Sequence, residues 1–165
     1  MGAGMKRRVL LGCIGAAVLL VGCAAKLVPD DFAGPTAVVK DSYSNYVQGG
    51  LFKSDHAEFF VMTAVDGKGI PNAFGMTSSA SQGLGMGMNV KSHERRVPIQ
   101  PMKVNLLALV YYPAPISTLF NRTYETRRTV SFHPKAGETY VVRGKLGEAG
   151  SLVWIETTSG QRVTQ

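Results

Sequence analysis

Lys103 to Pro113 reads KVNLLALVYYP, and no other stretch constrains the fold as much. Val104, Leu106, Ala108 and Val110 occupy one parity, and Leu107, Leu109 and Tyr111 the other. Successive side chains of a strand point to opposite faces, so this segment is apolar on both. Such a strand belongs at the centre of a layered structure. Pro113 and Pro115 end it, because proline cannot donate to a ladder.

Around it the chain reads as short strands. AEFFVMTAVDGKG, from Ala57 to Gly69, is a β-branched and aromatic run that stops at Asp66-Gly67, a strong hairpin pair. TRRTVSF, ETYVVRGKL and SLVWIETT follow, separated by HPKAG and GEAG and closed by SGQ. From Thr36 onward no 11-residue window keeps an apolar period of 3.6, so the reading expects strands and no helix. Strands at this spacing predict an all-β fold, an antiparallel two-sheet β-sandwich of immunoglobulin-like or Greek-key type over residues 36–165. The 165 residues suffice for one domain with its own core.

Two aromatic residues bear on that sandwich. Tyr140 opens a strand directly after the Gly137 corner, which resembles the tyrosine corner of Greek-key sandwiches. A half-buried, β-prone tyrosine is the alternative. Trp154 alternates with Leu152 in LVWIE, and its expected role is core packing, with ligand stacking as the other possibility.

The N-terminus has a different character. Met1 to Arg8 carries Lys6, Arg7 and Arg8 and no acid, and the next 17 residues, Val9 to Ala25, carry no charge. A basic head, an apolar run and small residues describe a secretory signal. The run is short for a membrane span, which needs about 20 apolar residues, and it lacks the polar face of a core helix. At its end, Leu20-Val21-Gly22-Cys23 resembles the lipobox of bacterial lipoproteins. That resemblance covers the first 23 residues. It implies that residues 1–22 are removed and that Cys23 carries a diacylglyceryl group and an N-acyl chain. Two or three acyl chains on one residue hold a protein on a bilayer essentially permanently. Residues 23–35, with AAKLVPDDFAGP after the cysteine, then read as a lipidated Cys and flexible linker. Ala24 directly after the cysteine implies, by the same resemblance, the outer membrane, on its periplasm-facing side.

Processing changes the charge argument. Loss of Lys6, Arg7 and Arg8 from the 18 Lys and Arg leaves 15 against 11 Asp and Glu, a net of +4 rather than the +7 of the whole chain. With no nucleic-acid motif present, nucleic acid is not an expected partner. Cys13 falls in the removed part and Cys23 is the expected lipid site, which leaves no disulfide, thiol nucleophile or cysteine metal cluster.

Few stretches have the pattern of a chemical site. GMTSSASQGLGMGMNV, from Gly75 to Val90, has no Lys beside its glycines and is no phosphate loop. In its tail Leu84, Met86, Met88 and Val90 recur every second residue between Gly83, Gly85, Gly87 and Asn89. That spacing predicts a strand with an apolar face and a nearly bare one, either packing on the core or open to a partner. KSHERR follows, and Lys91, Arg95 and Arg96 form either a solvated loop or a basic surface for lipid headgroups, lipopolysaccharide phosphates or peptidoglycan carboxylates. His56, His93 and His133 lack metal-ligand spacing. No Gly-x-Ser-x-Gly or Ser-x-x-Lys occurs, so neither an enzyme nor a bound cofactor is expected.

The Pro134-x-Ala136-Gly137-x-x-Tyr140 and Val153-Trp154-Ile155-Glu156 pieces are similar to those of small bacterial envelope lipoproteins with a C-terminal β-domain, a resemblance that implies no activity. The expected role is a lipid-anchored, non-enzymatic docking or structural module. It would contact an envelope protein, peptidoglycan or lipopolysaccharide through Lys91, Arg95, Arg96, Leu84, Met86 and Met88. The alternative is a domain binding a small lipid or glycan, with Gly75–Val90 as its lid.

Overall fold

The structure, a computed structural model, describes residues 26–51 and 53–164. The expected signal sequence, the lipobox resemblance and the expected lipid site Cys23 lie outside the described residues.

The fold is an all-β sandwich of two packed sheets. Its elements in chain order are β1 (Thr36–Lys40), β2 (Ser42–Val47), β3 (His56–Val65), β4 (Lys68–Gly69), α1 (Ala73–Ser81), β5 (Glu94–Pro98), β6 (Met102–Tyr111), a 3₁₀ turn (Pro115–Leu119), β7 (Glu125–Phe132), β8 (Thr139–Lys145) and β9 (Leu152–Thr157). One sheet has the order β5-β1-β8-β9, the other β2-β3-β6-β7 with β4 added beside β3. The pairing is antiparallel except between β1 and β8, which run parallel, so the first sheet is mixed where an antiparallel one was expected.

β6 lies between β3 and β7. Its Val104, Leu106 and Ala108 face the space between the sheets, where Phe60, Met62, Phe132, Tyr140, Val142 and Ile155 complete the main core. Its Leu107 and Leu109 face outward with Phe59 and Val61 of β3, under Ala73, Phe74 and Met88. The central strands are therefore buried on both sides, by a second sheet on one and by α1 with its return on the other. Asp66 and Gly67 both have positive φ and close β3 on β4 in two residues. That is the type I′ geometry whose twist matches the strands it joins.

Helix α1 corrects the expectation of strands only. Its buried residues are Ala73, Thr77 and Ser81, spaced by four. The helical period is present, but small and hydroxyl side chains carry it, so an apolar template does not register it. Asn72 caps the helix, its side-chain oxygen accepting from the Gly75 amide at 2.9 Å.

The predicted strand Leu84–Val90 is also corrected: these residues form turns and an irregular return. Gly83 and Gly85 have positive φ, which breaks an extended run. The linker is corrected in part. Val28 is buried and Leu27 packs against the main core, so residues 26–28 lie on the domain. Arg96 of β5 donates to the Phe32 carbonyl at 3.3 Å, which ties the same segment along the edge of the first sheet.

Candidate functional site

Two buried carboxylates organise the molecule outside its core. Asp41 turns the chain from β1 into β2, and its side chain is fully buried. It accepts from the Met62 amide at 3.0 Å, the Ala73 amide at 2.9 Å and Arg95 Nη2 at 2.5 Å. One side chain thus joins β3, the first residue of α1 and β5. Asp55, just before β3, accepts from the Gly49 and Met88 amides, each at 2.7 Å, and from the Tyr46 hydroxyl at 3.3 Å. Burial, together with the Asp55 carboxylate, pushes the Tyr46 hydroxyl above its ordinary pKa.

Between these carboxylates the Gly75–Val90 segment is fixed along its length. Thr77 Oγ1 accepts from the Lys91 amide at 2.8 Å. Ser81 Oγ accepts from the Asn89 amide at 3.0 Å and donates to the Thr77 carbonyl at 2.7 Å. Moving this segment as a lid would expose those hydroxyls, the Met88 anchor and the outer faces of Phe59 and Leu107, so the geometry is that of a fixed cover.

The sequence-predicted contact residues do not form one surface. Arg95 is removed from it: its side chain is 8% exposed, because it turns inward to the Asp41 carboxylate. Arg96, next on β5, is exposed, and donates to Thr36 Oγ1 and the Phe32 carbonyl at 3.3 Å each. Lys91 is half-buried beside α1. Leu84 and Met86 are exposed while Met88 is buried, so the three do not share the face their spacing implied. His93 lies beside Arg95, and burial, reinforced by that guanidinium, lowers its pKa.

Tyr140 is buried, and its hydroxyl accepts from the Lys135 amide at 3.0 Å, back across the corner before β8. Its ring meets Phe132 edge-on at 5.0 Å between centroids. Trp154 is not in the core. Val153 and Ile155 point inward, and Trp154 lies half-buried on the outer face of its sheet. There Arg162 sits 3.7 Å over its ring and its Nε1 donates to Glu156 at 2.7 Å. Arg143, paired with Trp154 across the ladder, decides the parity, since a charged side chain on that face keeps the face in water.

The most prominent surface was missed in the sequence. The loop after β2 and the loop after β6 lie side by side where β3 begins and β6 ends. Leu51 is 91% exposed, Phe120 82% and Leu119 77%, with Val47 and Ile116 also exposed. A groove of about 850 Å³ runs between the loops, bordered by Val47, His56, Met86, Tyr112, Ile116 and Phe120. His56 stacks on Tyr112 at 5.1 Å, and burial raises the Tyr112 hydroxyl pKa. Single exposed apolar residues are ordinary, but several around one groove mark an interaction surface. The available signal was composition: QGGLF and PAPISTLF place large apolar residues within glycine- and proline-punctuated loops.

Among the described residues no three His, Cys, Asp or Glu side chains group as a metal site, and no helix is long and apolar enough to cross a membrane. Comparison with family models, with curated proteins and with solved structures gives no match for this chain.

Proposed function

We propose that the protein is a lipid-anchored docking module of the bacterial envelope, held at Cys23 and presenting the two apolar loops to a protein partner. The observation that carries this reading is the groove bordered by exposed Val47, Ile116 and Phe120, with Leu51 and Leu119 exposed on the same two loops. Its position favours a protein over the bilayer as its occupant. Three residue steps separate Cys23 from Lys26, where the chain is already on the domain, a reach of at most about 11 Å. The loops lie at the other end of β3. His56 borders the groove, whereas Met62, six residues along, touches the Asp41 hub beside β5, roughly 20 Å away at the usual strand rise. An anchor beside β5 and an apolar surface beyond the far end of the sheet is the arrangement of a protein that reaches from a membrane towards a partner.

Two experiments test the two halves. Cys23→Ala should leave an uncleaved precursor that incorporates no labelled fatty acid; label in that variant removes the anchor from the reading. For the docking surface, a photo-crosslinking residue at position 119 in intact cells should give discrete protein adducts, and the same residue at exposed Arg128 on β7 should not. Adducts that are lipid alone, or equal at both positions, overturn the docking surface while leaving the anchor standing.

A further inference from the structure

A second cavity, distinct from the apolar groove, lies where the N-terminal segment meets β5. It measures about 240 Å³. Leu27, Val28, Ile70 and Pro71 supply its apolar wall, and Lys26, Asp30, His93, Glu94, Arg95 and Arg96 its polar side. Two features of the arginines are unusual. Arg95 spends only Nη2 on Asp41; its Nε and Nη1 are buried and have no hydrogen-bond partner among the described residues. A buried guanidinium donor without an acceptor is costly, and a low-dielectric setting raises both that cost and the gain from supplying an acceptor. Arg96 beside it has no acidic partner among the described residues, its nitrogens meeting only a hydroxyl and a carbonyl.

The other charges at the cavity are matched. Lys26 pairs with Asp30, Glu94 with Lys40, and the Arg95 charge itself with Asp41. The lining with its paired partners therefore carries one net positive charge, that of Arg96, which Asp30 feels without forming an ion pair; two spare guanidinium donors lie buried behind the wall, beside an imidazole whose burial favours its neutral form. Planar guanidinium forks match the oxygens of phosphate and carboxylate groups.

We infer that this cavity binds an oxyanion group, a phosphate by preference, carried on a small apolar-bordered skeleton that rests against Leu27, Val28, Ile70 and Pro71. A shift of the Arg95 side chain brings its buried Nε and Nη1 to the ligand oxygens, and Arg96 balances the charge. The ligand could be a free phosphate ester or the phosphate of a lipid headgroup. The site stands without the anchoring proposal; the headgroup as a source rests on it, because the anchor would hold this edge within reach of the bilayer.

The test uses the full chain in non-ionic detergent, with the Arg95 Nε–H and His93 ring resonances followed by NMR. Inorganic phosphate and glycerol phosphate are titrated against chloride at matched ionic strength, and the chain is compared in nanodiscs of phosphatidylglycerol and of phosphatidylcholine. The expected result is a saturable shift of both resonances by a phosphate probe and not by chloride. Arg96→Gln should weaken it tenfold or more, and Arg95→Lys, which keeps the charge beside Asp41 but removes the spare donors, should abolish it. Shifts with soluble phosphates identify a free ester; shifts confined to phosphatidylglycerol nanodiscs identify a headgroup. Arg96→Gln removes only exposed, long hydrogen bonds, so its fold is not at stake. No saturable shift under any condition, or equal affinity in wild type and Arg96→Gln, overturns the site.

Discussion

Asp41→Ala is the most informative single change. The carboxylate it removes accepts three hydrogen bonds and neutralises a guanidinium whose side chain is 8% exposed. Stranding one member of a buried ion pair costs about 3–5 kcal/mol. The Met62 and Ala73 amides lose their acceptor as well, at about 1 kcal/mol or more each where water does not replace it. A loss of roughly 5 kcal/mol approaches the whole stability of an ordinary domain, about 5–15 kcal/mol. The companion is Asp41→Ala with Arg95→Met, which removes the stranded charge and keeps an apolar filling. The double variant should regain at least about 2 kcal/mol over Asp41→Ala, since contacting partners couple by amounts of that order. Urea unfolding measures both, with Trp154, the single tryptophan, as the fluorescent reporter. If Asp41→Ala unfolds within about 1 kcal/mol of wild type, or the two changes add without coupling, the hub described here is not what holds β5 and α1 to the sheet.

Three further outcomes follow from the same structure. A Cβ at Gly144 would collide with the Phe60 ring and meet the Leu152 carbonyl at 2.7 Å, so Gly144→Ala should cost about 1–3 kcal/mol in urea unfolding, and an unchanged midpoint would contradict that packing. Tyr140→Phe deletes the acceptor of the Lys135 amide and should cost about 1 kcal/mol, with faster hydrogen exchange at Lys135 as the local signature. For His93, burial and Arg95 lower the folded-state pKa, against smaller opposing effects of Asp41 and Glu94. Its contribution to stability is thus present above the unfolded pKa of about 6.5 and is lost as pH falls through that value and the lower folded one. His93→Gln should flatten stability against pH in that acid window, and an identical pH profile would remove His93 from the account.

The two-layer core was legible because local pattern and global position agreed. KVNLLALVYYP is apolar on both parities, and β6 is covered on both faces. Elements whose placement depends on distant partners were not legible. SLVWIETT has apolar residues on both parities, and the charged neighbours of Trp154 on its outer face, Arg143 across the ladder, Glu156 two residues on and Arg162, are assembled only in the fold. α1 has its period in Ala73, Thr77 and Ser81, and the two hydroxyl oxygens accept from the Lys91 and Asn89 amides once the return from Met86 to Lys91 packs against them. Arg95 looked like a surface cation beside Arg96 because Asp41, which buries it, is more than fifty residues earlier in the chain. The loop groove was not legible for the converse reason: Val47, Ile116 and Phe120 belong to two segments far apart in the chain that only the sheet brings together.

The parallel pairing of β1 with β8 sets an order of events. Val38 is matched to Thr139, across roughly a hundred residues, and β5 can reach the first sheet only through β1. Closing a loop of that length costs about 4 kcal/mol in chain entropy before any contact offsets it. An emerging chain therefore has no way to complete this sheet from its N-terminal half alone. The first strand waits for nearly the last, so the polypeptide stays open until its C-terminal region is available. The arrival of β8 and β9 is then the step that closes the first sheet.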